Sequence, residues 1–255
     1  VKIDVMIPAI EKDLGTLPHV IDAVRLHVRH PIGRIYVVSP ESERIRKLCK
    51  RKGCTFVNER KVLPITKNDI HYSSKRWERS GWLYQQLLKL GGTSVVSRKH
   101  YLVVDADTVF IRPHRFLVDG KTVFYCRKWS QPEYFVTYRK LTGERAKAPR
   151  SFVTHYMLFD KTKVSAMKRD FEAKHGTRWY RAIIRSINKK KQFGFSEYET
   201  YGNYLYARHP GKVVMKSAQN KSLHSNAGAL SAERIRKLAT KFRSLSFHKR
   251  KGYAK

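Results

Sequence analysis

Acidic residues are scarce in this chain. Among 255 residues, 20 Asp and Glu stand against 54 Lys and Arg, a formal charge of +34. Such an imbalance predicts attraction to polyanions: nucleic acid, anionic lipid headgroups or a phosphate-rich acceptor. It does not choose among them, and a solvated basic surface needs no partner at all. Cysteine is nearly absent. Cys49, Cys54 and Cys126 are too few and too badly spaced for a disulfide framework or a zinc cluster, and three isolated thiols fit a reducing compartment. No apolar run approaches the length needed to span a bilayer. The opening VKIDVMIPAI lacks the long apolar region of a signal peptide and reads as a first strand. A cytoplasmic protein is therefore expected, or one held peripherally on the inner face of a membrane. Neither an internal repeat nor a clean linker interrupts the chain.

Hydrophobic content of 41%, with 12% aromatics, is enough for a packed core and excludes general disorder. Val1–Pro8 reads as a strand. Leu17, Val20, Ile21, Val24 and Val28 then recur at helical spacing, with Pro18 in the first turn. Arg34–Ser39 is a second strand, Glu43–Lys52 a basic helix stopped by Gly53, and Cys54–Val57 a third strand. This is the βαβαβ rhythm of a nucleotide-binding half with a parallel sheet. Gly81–Leu90 is a further helix. Lys121–Cys126, Ser151–Asp160 and Lys212–Met215 are strand candidates, Asp170–Ile187 and Ser196–Ala207 helices, and Arg139–Arg150 a basic loop.

Asp105-Ala106-Asp107 ends the apolar, β-branched run Tyr101–Val104. Ligands of open α/β sheets bind outside the carboxyl ends of strands. Two acids one residue apart there can hold a hard divalent cation that also meets phosphate oxygens. Asp107 is expected to ligate directly, and Asp105 through water or on a ribose; a solvated strand end is the structural alternative. In Phe195–Glu199 the pair Ser196 and Glu199 forms a capping-box pattern, which gives Glu199 a structural role. Glu197, in the same first turn, either meets the helix dipole or acts as general base, with Glu199 as its substitute. Thr154 and His155 interrupt an otherwise apolar strand, as a satisfied core pair or as contacts to a substrate. His224, in a loop after the last strand candidate, is the candidate third metal ligand. Gln85, Gln86 and Lys89 precede the Asp-x-Asp strand, where Lys89 either reaches a phosphate or lies on the surface. Trp77 and Trp82 are core residues or stack on a ring. Ser231–Leu245 reads as a basic amphipathic helix, for an anionic membrane surface or for packing on the core.

Ile7-Pro8, Ser39-Pro40, SGWLYQQLLKL at Ser80–Leu90, VVDADTV at Val103–Val109, Ser151–Asp160 and SEYETYGN at Ser196–Asn203 occur in one order. In that order the chain resembles a small GT-A type glycosyltransferase over residues 3–228. It is similar to a little-characterised group of bacterial and viral sugar transferases. The resemblance implies a single α/β, Rossmann-like domain with a central, mostly parallel mixed sheet flanked by helices. Residues 1–110 would bind the nucleotide sugar, 111–230 the acceptor, and 231–255 would form a basic helix and tail. It further implies a nucleotide-diphosphate sugar donor, a UDP-sugar first, with Mn²⁺ or Mg²⁺ and a hydroxyl acceptor on a glycan or lipid-linked glycan. Carried over, Asp105 and Asp107 match the metal-diphosphate motif and Glu197 the acid at an acceptor-side helix start. Pro8, Ser39, Gln85, Lys89, Asp105 and Ala106 fall to the donor, Glu197, Glu199 and His155 to catalysis, and Asp105, Asp107 and His224 to the metal. Inverting transfer is the expected chemistry. The alternatives are a polyanion-binding protein on a degenerate transferase fold and a metal-dependent nuclease.

Overall fold

The computed structural model describes residues 1–248. Strand and helix alternate through its first half: β1 (Ile3–Pro8), α1 (Leu17–His27), β2 (Ile32–Ser39), α2 (Glu43–Lys52), β3 (Thr55–Asn58), α3 (Ser80–Gly91) and β4 (His100–Val104). There follow β5 (Thr108–Phe110), β6 (Leu117–Val118), β7 (Lys121–Cys126), α4 (Pro132–Thr142), β8 (Tyr156–Asp160), α5 (Lys161–His175), α6 (Trp179–Ser186) and α7 (Glu197–Arg208). The last elements are β9 (Val213–Ser217), β10 (Asn220–Ser222), α8 (Ala232–Ala239) and β11 (Ser244–Ser246).

The central sheet has the order β3-β2-β1-β4-β8. All its pairings are parallel except β4 with β8, which makes the sheet mostly parallel as the sequence predicts. Alternation along β1 divides the core. Ile3, Val5 and Ile7 pack with Ile35, Val37, Leu102 and Val104 under α1 and α2. Met6 joins Tyr36, Val38, Tyr101 and Val103 on the other face, under α3 and α5 to α7. Each such side chain contributes about 1.5–3 kcal/mol by leaving water. Two smaller sheets, β10-β11-β5 and β6-β7-β9, extend this frame.

Four sequence expectations change. The apolar run from Ser151 is a strand only from Tyr156, so Thr154 and His155 lie in the approach to β8 rather than inside it. The helix expected over Asp170–Ile187 is two helices. The Asp160 carboxylate accepts from the Thr162 and Lys163 amides and starts α5, and Gly176, at φ 60°, ends it. Helix α4 covers part of the expected basic loop. The C-terminal helix stops at Ala239, and Ser244–Ser246 is a strand. The Leu238 side chain packs against Ile111, Leu245 and Phe247, with Ile235 and Phe242 beside it, so the apolar side of α8 is turned inward. Residues 249–255 of the expected tail lie outside the described residues. Among the described residues no helix is long and apolar enough to cross a membrane.

Candidate active site

From β1 the chain runs outward to β2 and β3 on one side, while β4 lies on the other. The crevice outside the carboxyl ends of β1 and β4 is therefore a topological switch point, where open α/β sheets bind ligands. A cavity of about 1660 Å³ opens there. Pro8 comes from the end of β1, Asp105, Ala106 and Asp107 from the end of β4, Gln85 and Lys89 from α3, and Glu197 and Tyr198 from the start of α7.

Lys89 organises the floor. Its Nζ donates to Asp105 Oδ1 at 2.5 Å and to Glu197 Oε1 at 2.6 Å. The side chains of Lys89 and Glu197 are only 4% and 3% exposed. Burial opposes the ammonium, yet the two carboxylates outweigh it and raise the lysine pKa above its usual range. Burial likewise opposes ionisation of Asp105, but Lys89 and His155 hold that carboxyl well below the carboxylate range. Glu197 shifts the other way: burial raises it, Asp105 adds to the rise, and Lys89 offsets only part. One ammonium facing two carboxylates leaves a residual negative charge in the cavity floor. The Tyr198 hydroxyl donates to Asp105 Oδ1 at 2.9 Å. The Glu197 amide donates to Gln86 Oε1 at 3.0 Å, which fixes the start of α7 against α3.

His155 Nδ1 lies 3.2 Å from Asp105 Oδ2, and the His155 carbonyl accepts from the Asp105 amide at 2.9 Å. His155 holds this pose at φ 71°, a conformation that costs a non-glycine residue about 1–3 kcal/mol and that clusters at functional sites. Asp107 is less enclosed. Its Oδ2 pairs with His248 Nδ1 at 3.0 Å, and the Phe247 amide donates to its carbonyl at 2.9 Å. Strand β11 pairs antiparallel with β5 and so returns the chain end to the Asp-x-Asp turn. Asp13 also lines the cavity; burial raises its pKa, and Asp107 and Asp105 raise it further.

The structure thus gathers Pro8, Gln85, Lys89, Asp105, Ala106, Asp107, His155 and Glu197 around one cavity. Three expected residues stand elsewhere. Ser39 is fully buried under the sheet end, while its neighbours Val38 and Pro40 line the cavity. His224 is exposed and is not among the lining residues, and His248 occupies the place beside Asp107. Glu199 lies behind the wall. Its carboxylate accepts from Ser130 at 2.7 Å, Ser151 at 2.6 Å and Asn203 at 3.0 Å, and so ties α7 to the loops around it. Only half of the capping box forms, with Ser196 Oγ accepting from the Glu199 amide at 3.2 Å. His248 and Asp13 escaped the sequence reading. The alternation Ser244-Leu245-Ser246-Phe247 was a strand signal for the former, hidden by an upstream helical pattern.

The donor chemistry at the cavity wall, two carboxylates and an imidazole, suits a divalent cation. Among the described residues no three such side chains are already drawn together as a metal set. Both Asp105 oxygens have partners, Oδ1 in Lys89 and Tyr198 and Oδ2 in His155, while Asp107 Oδ2 is paired with His248.

The fold is that of the GT-A glycosyltransferase structures. The bifunctional glycosyltransferase WbbM, solved in its apo form, matches with a TM-score of 0.54 and 12% identity, over 96% of this chain and 45% of that one. The galactosyltransferase LgtC, solved with donor and acceptor sugar analogues, is similar at 0.49 and 15%, over 96% and 87%. Mouse xyloside xylosyltransferase 1 in its apo form is similar at 0.49 and 12%, over 98% and 99%. No curated protein matches the sequence. The chain belongs to a family of unknown function (DUF6492), whose model matches residues 2–242.

Proposed function

We propose that this protein is a metal-dependent glycosyltransferase that moves a sugar from a nucleotide-diphosphate donor to a hydroxyl of a glycan or lipid-linked glycan. The observation that carries the reading is the placement of Asp105 and Asp107 at the carboxyl end of β4, in the wall of the switch-point cavity. The nucleotide would lie along the ends of β1 and β2, beside Pro8 and Pro40. Asp105, Asp107 and His248 would hold the cation, and the imidazole favours Mn²⁺ over Mg²⁺. When bound, the cation neutralises the charge of the departing diphosphate.

The chain's own residues then account for the rest of an inverting displacement. Lys89 holds Glu197 and Asp105 in fixed register. Burial lifts the Glu197 pKa towards the range of a useful general base. Glu197 takes the acceptor hydroxyl proton as that oxygen bonds to the anomeric carbon, and the bond from that carbon to the diphosphate breaks with its electrons leaving on the diphosphate. His155 positions Asp105.

A thermal-shift screen of nucleotide sugars, with and without Mn²⁺, tests the assignment. A UDP-sugar is expected to raise the melting temperature only with the cation present, and Asp107→Asn to abolish that rise. An unchanged Mn²⁺-dependent shift in Asp107→Asn would sink the reading. Anomeric configuration of the product by NMR then reads the displacement chemistry.

A further inference from the structure

Six large hydrophobic side chains are exposed among the described residues, and three of them fall within one short segment: Trp129, Phe135 and Val136, at 58%, 36% and 46% exposure. Helix α4 buries Tyr134, Thr137, Tyr138 and Leu141, and so turns Phe135, Val136, Arg139 and Lys140 to the outside. Lys128 is exposed beside Trp129. Residues 127–150 carry seven Lys and Arg against Glu133 and Glu144. Trp129 and Phe135 are six positions apart, so their backbones lie within about 20 Å of each other whatever the path. This segment also forms one lip of the cavity, through Arg127, Trp129, Gln131 and Tyr134.

We propose that this lip docks on an anionic bilayer, with Trp129, Phe135 and Val136 entering the headgroup boundary and the surrounding Lys and Arg meeting anionic headgroups. An apolar tip ringed by cations is the signature of interfacial binding, in which buried apolar area and headgroup charge add. Duplex nucleic acid, held through its phosphates, would use the cations but leave Phe135 and Val136 in water, whereas a bilayer buries both. The basic C-terminal helix does not offer this combination, because its apolar side is packed on Leu245 and Phe247. The consequence for the site rests on the transferase reading: the cavity mouth would face the bilayer, so the acceptor would be a lipid-linked glycan presented from the membrane plane.

The test is sedimentation of the full chain with phosphatidylcholine vesicles that contain 30% phosphatidylglycerol or none. Binding is expected to the anionic vesicles and to weaken on the neutral ones. Phe135→Ser/Val136→Ser, which leaves the cavity lining intact, should lower partition about tenfold. Arg139→Ala/Lys140→Ala should lower it more than Arg44→Ala/Lys47→Ala on α2 does, by about fivefold per cation lost from the docked face. Brominated lipid should quench the wild-type fluorescence and leave Trp129→Phe nearly unquenched. Absence of vesicle binding overturns the proposal. So does equal loss from both charge pairs with no loss from Phe135→Ser/Val136→Ser, which would mean adsorption by overall charge. The donor thermal shift is read on the same proteins. Vesicle binding without any donor shift removes the transferase reading and keeps the face, and the reverse result keeps the transferase and removes the face.

Discussion

Lys89 neutralises half of the charge around it, and that makes it the most sensitive residue of the site. Removing one member of a buried ionic cluster leaves uncompensated charge and costs about 3–5 kcal/mol. Lys89→Met is expected to lose that much in chemical denaturation, and Lys89→Met/Glu197→Gln to recover a substantial part of it. Additive losses in the double variant would show that the pair is not coupled. The aspartates were legible in the sequence because an apolar run ended on them. Lys89 was legible as a site residue, but not its buried pairing with Asp105 and Glu197, since a lysine on a helix is usually solvated. Its burial depends on α7 closing over α3 from more than a hundred residues away. Glu199 illustrates the opposite limit: its spacing from Ser196 marked a cap, but the serines that donate to its carboxylate belong to distant loops.

The βαβαβ half was legible at the level of elements because each of its strands and helices carries its own period. Helix α4 was not. Its inward positions, Tyr134, Thr137, Tyr138 and Leu141, have helical spacing, but two tyrosines and a threonine do not register as an apolar stripe. The two- and three-residue strands of the small sheets depend on non-local pairing and leave almost no local pattern. Helix α5 supplies a prediction. Lys168 reaches Thr93 Oγ1 at 2.6 Å and lies over the Trp179 ring, and burial lowers its pKa from 10.5 to about 8. Below pH 8 both folded and unfolded chains carry this proton, and the folded state bears the cost of the buried ammonium. Between pH 8 and 10.5 the folded state releases the proton first, so this group makes stability rise with pH, by about 1–3 kcal/mol in all. Denaturation midpoints of wild type and Lys168→Met from pH 7 to 10 should show the wild type gaining on the variant. Parallel curves would refute the assignment.

A charge of +34 acts on the molecule as a whole and is independent of the site chemistry. Binding to heparin or to duplex DNA of any sequence is expected, with affinity falling about a hundredfold or more between 50 and 200 mM salt. Filter binding across that range checks it; sequence preference, or insensitivity to salt, would point to a dedicated nucleic-acid site. Composition revealed the charge but not its arrangement around a cavity lip, which only the folded chain defines. The return of β11 to the Asp-x-Asp turn has a further consequence, for biosynthesis. Asp107 and His248 are 141 positions apart. The strands of the central sheet are all translated well before residue 248 leaves the ribosome, so a nascent chain can build its scaffold early. The contact between Asp107 and His248 is therefore made last, and a chain arrested short of β11 would lack it.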